Sequence, residues 1–134
     1  MLRIFVVDDN AIVRTTLRTV LERQEEWFVV GEARNGRDAV DTFDDYRPNV
    51  TVMDYSMPEM NGLEAARHLR EHDPSAAILM VTADPTIQLQ REARKIGLSG
   101  FCPKDKLSCL LTAIKALARG KTYFYYREPA EAAA

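Results

Sequence analysis

Five short apolar runs recur along this chain, and longer stretches with a different period separate them. The runs occupy residues 2–7, 27–33, 50–53, 77–81 and 100–102, are rich in Val, Ile and Phe, and are bounded by Asp, Asn, Gly or Pro. Segments this brief and this continuously apolar suit strands covered on both faces. Residues 27–33 fit least well, because Glu32 breaks their apolar character. Between the runs the period becomes helical. Ile12, Val13, Leu17, Val20 and Leu21 fall on one face of a helix, as do Leu107, Leu110, Leu111, Ile114 and Leu117. Ala39, Val40 and Phe43 mark a helix after Asn35-Gly36, and Leu63, Ala66 and Leu69 mark another after Asn61-Gly62. Residues 87–96 predict a more polar helix, ended by Gly97 as a glycine C-cap ends one.

Five strands, each followed by a helix, wind into an α/β parallel sheet with helices on both faces. Right-handed crossovers leave few ways to do this. The order 2-1-3-4-5 is favoured, the flavodoxin-like, doubly wound arrangement whose switch point lies between strands 1 and 3. Ligands in such sheets sit at the carboxyl ends of the strands near that point, so the residues directly after each strand are where chemistry is expected. At 134 residues the chain is one domain. We place the domain at residues 1–119 and a tail, or the start of a linker, at residues 120–134. Residues 122–126 form an aromatic cluster, and residues 127–134 are polar and alanine-rich. The tail is expected to be a partly ordered extension of the last helix, frayed at its end.

Composition narrows the function classes. Net charge is −2 and no Lys/Arg block stands out, which argues against nucleic-acid binding through bulk positive charge. The run at residues 2–7 stops at Asp8-Asp9, too soon for a signal peptide or a membrane helix, so a cytoplasmic protein without membrane contact is expected. Cys102 and Cys109 lack zinc-site spacing and nearby histidines, and are expected as two buried free thiols in a reducing compartment.

Asp8 and Asp9 follow the first strand and Asp54 follows the third, so the fold brings three carboxylates to one edge of the sheet. Clustered carboxylates repel unless a cation or a proton neutralises them, and all-oxygen coordination suits Mg²⁺ or Mn²⁺ better than zinc. Each acid also has a plainer reading. Asp9-Asn10 before a helix can serve as an N-cap, and a lone Asp at a strand end is more often a loop residue than a nucleophile. Asp38, Asp41, Asp44, Asp45 and Asp73 are read as solvated surface. Thr82, followed by Ala83 and Asp84, ends the fourth strand, and Lys104 follows the fifth. Singly these are a β-branched strand residue and a loop lysine. Together they put a hydroxyl and an ammonium on the rim that carries the acids, the equipment that stabilises phosphoryl oxygens.

The ordered set resembles the receiver domain of bacterial two-component response regulators. It comprises Val6-Val7-Asp8-Asp9-Asn10, Val52-Met53-Asp54-Tyr55-Ser56-Met57-Pro58, Asn61-Gly62-Leu63-Glu64, Thr82-Ala83 and Gly100-Phe101-Cys102-Pro103-Lys104-Asp105. The resemblance implies that Asp54 is the phosphoacceptor, that Asp9 binds Mg²⁺ directly and Asp8 largely through water, and that the carbonyl of Ser56 is a backbone ligand. It implies that Thr82 bonds the phosphoryl group, that Ala83 is small enough to let it approach, and that Lys104 pairs with Asp54 and then with the phosphoryl oxygens. Phe101 would turn inward once Thr82 moves, and Met57, Pro58 and Gly62 would shape the adjoining loop. Such a protein is a signalling switch rather than an enzyme, although it assists its own phosphorylation and dephosphorylation. Its partner is a histidine kinase or phosphotransfer protein. Many receivers have Lys-Pro after strand 5, whereas here Pro103 precedes the lysine and Asp105 follows it. Lys-Asp, with Gly31-Glu32-Ala33 and Ala118-Arg119-Gly120, resembles the branch that carries a C-terminal helix-turn-helix output.

Three rival readings fit these residues less well. A metal-dependent phosphatase would need a second acid where Ser56 stands. A flavin module would need a hydroxyl-rich loop where Asp8-Asp9 would repel phosphate. An interaction module without phosphorylation would leave the acids, Thr82 and Lys104 unexplained. These residues bind no nucleic acid by themselves, so transcriptional output would need a further domain. A homodimer through the helix at residues 87–95 and the last helix stands level with ordinary solvated faces.

Overall fold

Strand β1 (Leu2–Val7) sends Ile4 and Val6 into one hydrophobic core and Phe5 and Val7 into another. That alternation is what a strand covered on both faces requires. The computed structural model describes residues 1–128. After β1 the chain forms α1 (Ala11–Leu21), β2 (Trp27–Ala33), α2 (Gly36–Tyr46), β3 (Val50–Asp54) and α3 (Gly62–His72). It continues with β4 (Ile78–Thr82), α4 (Ile87–Lys95), β5 (Gly100–Pro103), α5 (Leu107–Ala118) and β6 (Tyr123–Phe124). The sheet runs β2-β1-β3-β4-β5-β6, and every pair in it is parallel.

The two cores lie on opposite faces of the sheet. Leu21 of α1 and Leu110, Ile114 and Leu117 of α5 close over Val6, Val52 and Val81. Ala39 and Phe43 of α2, Leu69 of α3 and Leu89 and Ala93 of α4 close over Phe5, Met53, Met80 and Phe101. Each fully buried Leu, Ile or Phe contributes roughly 1.5–3 kcal/mol. Four helices start on a residue whose side-chain oxygen accepts amide hydrogens of the first turn: Asn10, Asn35, Asn61 and Thr86.

Glu32, the residue that spoiled the second run, has a structural explanation. β2 is an edge strand, and Glu32 lies 3.2 Å from Arg14 and 2.7 Å from Arg18, both on α1. The ion pairs fasten the helix to the edge strand where apolar packing would otherwise be needed.

The expected order 2-1-3-4-5 holds, with the short β6 added beyond β5. Three expectations need correction. The tail is not a continuation of the last helix: Gly120 takes φ +75°, its amide bonds the carbonyl of Leu117, and the amide of Lys121 bonds that of Ala116. This paired reverse bonding is a Schellman stop. It turns the chain back, so that Tyr123 and Tyr125 donate their amides to Ser99 and Phe101 along β5. The part of the tail expectation that falls on residues 129–134 lies outside the described residues. On α1, Ile12 is 78% exposed rather than part of the core. The thiols also differ from expectation in part, since Cys102 is buried and Cys109 only half-buried, although both are free. No described helix is long and apolar enough to cross a membrane.

Replacing Gly120 by alanine forces a side chain into left-handed backbone at a cost of roughly 1 kcal/mol. Urea unfolding should read that loss, and amide exchange at Tyr123 and Tyr125 should quicken while β1 and β3 stay protected. Unaltered exchange at both tail amides would count against the turn as the anchor of β6.

Candidate functional site

Asp8 leaves the end of β1 and Asp54 ends β3, and these strands are neighbours at the centre of the sheet. Both carboxylates are buried, at 1% and 2% exposure, whereas Asp9 is exposed. One carboxylate oxygen of each acid lies within 4.8 Å of the others. Lys104 enters from the end of β5. Its Nζ is 2.6 Å from Asp8 Oδ2 and 3.3 Å from Asp54 Oδ2, so the ammonium bridges both acids and sits closer to Asp8.

Local bonds fix these groups. Asp8 Oδ1 accepts the amide of Asn10 at 2.9 Å, and the carbonyl of Asp8 accepts Arg14 Nη1 at 2.8 Å. Arg14 therefore ties Asp8 to Glu32 on the neighbouring strand. The start of α3 packs directly against the Asp54 backbone, so close that a Cβ on Gly62 would collide with the Asp54 carbonyl oxygen. Only glycine lets α3 start this close to the acid. The amide of Gly62 completes the clasp on the carbonyl of Tyr55 at 2.8 Å.

Thr82 is buried at the end of β4, one residue past Val81, the partner of Asp54 in the β3–β4 register. Its Oγ1 accepts the amide of Asp84 at 3.2 Å, and its carbonyl accepts the amide of Lys104 at 2.8 Å. Ala83 and Ser56 are exposed, and Met57 is half-buried beside the core of Phe5 and Met53. Pro58 is exposed, and its carbonyl accepts the amide of Met60. Phe101 is fully buried, already covered by Tyr126 at 6.4 Å between ring centroids, so no exposed position of this ring is seen.

Burial raises the pKa of Asp54 from 3.8 to about 6, and the negative charge of Asp8 adds to the shift; Lys104 opposes it, and Asp9 contributes a smaller rise. For Lys104, burial works against the ammonium. Its hydrogen bond to Asp8 and the charges of Asp54 and Asp8 outweigh that and hold its pKa above the usual value. Three acids against one ammonium leave the cluster short of positive charge. Its donors are all oxygen, with no thiolate or imidazole among them, so the residues present fit a hard divalent cation.

Beside the acids lies a cleft of about 330 Å³, lined by Ile12, Val13, Thr16 and Leu17 of α1 and by Ala83, Lys104 and Asp105. The apolar period of α1 concealed it, because periodicity reports a face without saying what covers it. Arg14 was also missed; the signal for it was Glu32, an acid in an apolar strand that needed a partner.

The profile of the Response regulator receiver domain family matches residues 4–115. The Transcriptional regulatory protein YdfI of Bacillus subtilis is 34% identical over 121 residues, covering 90% of this chain and 56% of the relative. The Chemotaxis protein CheY of Thermotoga maritima is 36% identical over 102 residues, covering 76% of this chain and 84% of the relative. A crystal structure of a two-component response regulator of the LuxR family, from Aurantimonas sp. SI85-9A1, superposes with a TM-score of 0.89 at 33% identity, over 99% of this chain and 94% of that one. A doubly wound sheet with acids at its switch point defines the class, and the chain belongs to the receiver-domain family of two-component response regulators. It is related both to transcriptional regulators and to CheY, and it spans little more than half the length of the transcriptional regulators YdfI and DegU.

The raised pKa of Asp54 has a sign that can be tested. Below about pH 4 the carboxyl is protonated in folded and unfolded chains alike. Between pH 4 and 6 the unfolded chain releases its proton first, so stability falls as pH rises through about 6. The loss is on the order of 3 kcal/mol. Without divalent cations, Asp54→Asn should therefore be the more stable protein at pH 7.5 by roughly that amount and match the parent near pH 4. Urea melts that show the same difference at both pH values would refute the burial and repulsion assigned to Asp54.

Proposed function

We infer that this chain is a phosphorylation-dependent switch in which Asp54 accepts a phosphoryl group from a phosphohistidine on a kinase or phosphotransfer partner. The observation that carries this reading is the Lys104 bridge between Asp8 and Asp54, which puts a fixed cation beside a buried nucleophile. A carboxylate oxygen of Asp54 attacks phosphorus in line, the P–N bond to the imidazole breaks, and an acyl phosphate remains on Asp54. Lys104 is close enough to follow the charge from the carboxylate onto the phosphoryl oxygens, and Thr82 offers its hydroxyl hydrogen to one of them. Asp8, Asp9, Asp54 and the carbonyl of Ser56 would hold Mg²⁺, or Mn²⁺ in its place, and that ion when bound would offset charge on the transferring group. Later attack of water on the same phosphorus breaks the P–O bond and restores Asp54. The chain thus assists its own modification and its own reset, without turning over a separate substrate.

The added group brings close to two negative charges and strong acceptor oxygens. It shifts a population only if it interacts differently with two arrangements of the Thr82–Phe101 region. A differential of ~2 to 3 kcal/mol is enough for a large change. The α1 cleft places exposed Ile12 and the apolar side chains of Val13 and Leu17 next to Ala83 and Lys104, the lysine that bridges the acids. We read that apolar surface as the docking face for a helix of the donor. A self-association switch through α4 is less favoured, since the tail already lies on that helix. We place the protein in the cytoplasm, where such a donor would be met. Control of transcription would follow through an output domain of the kind that the longer relatives suggest.

Incubation with acetyl phosphate and Mg²⁺ should add one phosphoryl mass to the parent chain and none to Asp54→Ala. Lys104→Ala should be labelled about 100-fold more slowly. Labelling of Asp54→Ala at the parent's rate would end this reading.

A further inference from the structure

Gln90 is a fully buried polar residue on α4, and both ends of its amide are bonded to one residue of the tail. Its Nε2 donates to the carbonyl of Tyr126 at 2.7 Å, and its Oε1 accepts the Tyr126 amide at 2.8 Å. The hydroxyl of Tyr126 then donates to the carbonyl of Pro85 at 2.8 Å. Pro85 stands three residues after Thr82, in the loop whose Asp84 amide is bonded to Thr82 Oγ1. The ring of Tyr126 also covers Phe101. One tail residue therefore grips the β4–α4 loop, α4 and the buried ring of β5 together.

We propose that residues 121–128 form a strap whose docking is coupled to the state of Asp54 through the β4–α4 loop, so that phosphorylation loosens it. The proposal rests on Asp54 being the phosphoacceptor. In the unmodified chain the loop is bonded at both ends, to Thr82 at its start and to Tyr126 at Pro85. A phosphoryl oxygen that draws the Thr82 hydroxyl toward it moves the start of the loop, and the Tyr126–Pro85 bond is set for the loop where it now lies. A contact that fits one state and not the other biases the equilibrium between them. The bias is reciprocal, so a docked strap weakens binding at the acid site by the factor with which binding there weakens the strap. The downstream chain begins at this strap, which gives the acid site a route to whatever follows.

Amide exchange on the full chain with Mg²⁺, with and without saturating beryllofluoride, reads the strap directly. Exchange at Tyr123, Tyr125 and Tyr126 should be several-fold faster with the phosphoryl mimic bound. In the reciprocal direction, Tyr126→Phe keeps the ring and removes only the hydroxyl bond to Pro85; it should bind the mimic roughly fivefold more tightly. Gln90→Met, which loses both bonds to the tail, should shift affinity in the same direction. Unchanged or slower exchange at the three amides overturns the proposal. So does unchanged or weaker mimic affinity in both variants while they remain folded, which is what a merely structural contact would give. A parent chain that neither binds the mimic nor takes label at Asp54 would bring down the acceptor reading, and the strap's coupling with it.

Discussion

Two carboxylates from adjacent central strands are buried side by side, and one lysine ammonium touches both. Asp8 and Asp54 would otherwise face each other across a short gap in a place where water cannot screen them. The bridge also explains why a lysine is needed there. β5 lies two strands away from β3, about 10 Å across the sheet, so only a long side chain carries its charge from the end of β5 to Asp54. Even so, a single cation does not balance the acids. Burial, with the charge of Asp8 added to it, pushes the Asp54 pKa up to about 6, and the cluster of oxygen donors favours a second positive charge.

The winding of the sheet was legible because local signals agreed with one another. Strand lengths, the asparagines before α1, α2 and α3, and Gly97 after α4 each gave the same element order, and the switch point then placed Asp8, Asp9 and Asp54 without any distance being known. The site residues were legible for a related reason: residues directly after parallel strands share one edge, so their order in the chain becomes proximity in space. What sequence cannot supply is the split of one ammonium between two acids, or the carbonyl of Asp54 lying where a side chain at Gly62 would be. Those are outcomes of packing at the level of ångströms.

Two errors have a common source. Ile12 has the period of a core residue and lies exposed beside the acids. Residues 122–126 have no helical or strand period long enough to register, and yet add a strand. In each case the decisive partner is remote in sequence: Lys104 and Ala83 complete the cleft at Ile12, while Ser99, Phe101 and Gln90 receive the tail. Gln90 itself reads as an ordinary polar residue on a polar helix. Only its complete burial, with both amide groups bonded to Tyr126, marks it as something else.

The placement of β6 matters for anyone who trims this protein. A version cut after Ala118 would keep Asp8, Asp9, Asp54, Thr82 and Lys104, and would look intact by its motifs. It would also strip the row of carbonyls at Ser99 and Phe101 of their donors, uncover a buried aromatic ring, and leave an open lateral margin on the sheet. Bare margins of that kind recruit strands from neighbouring molecules. Oligomers or fibrils formed by such a shortened version would be artefacts of the cut and would say nothing about the association of the native chain.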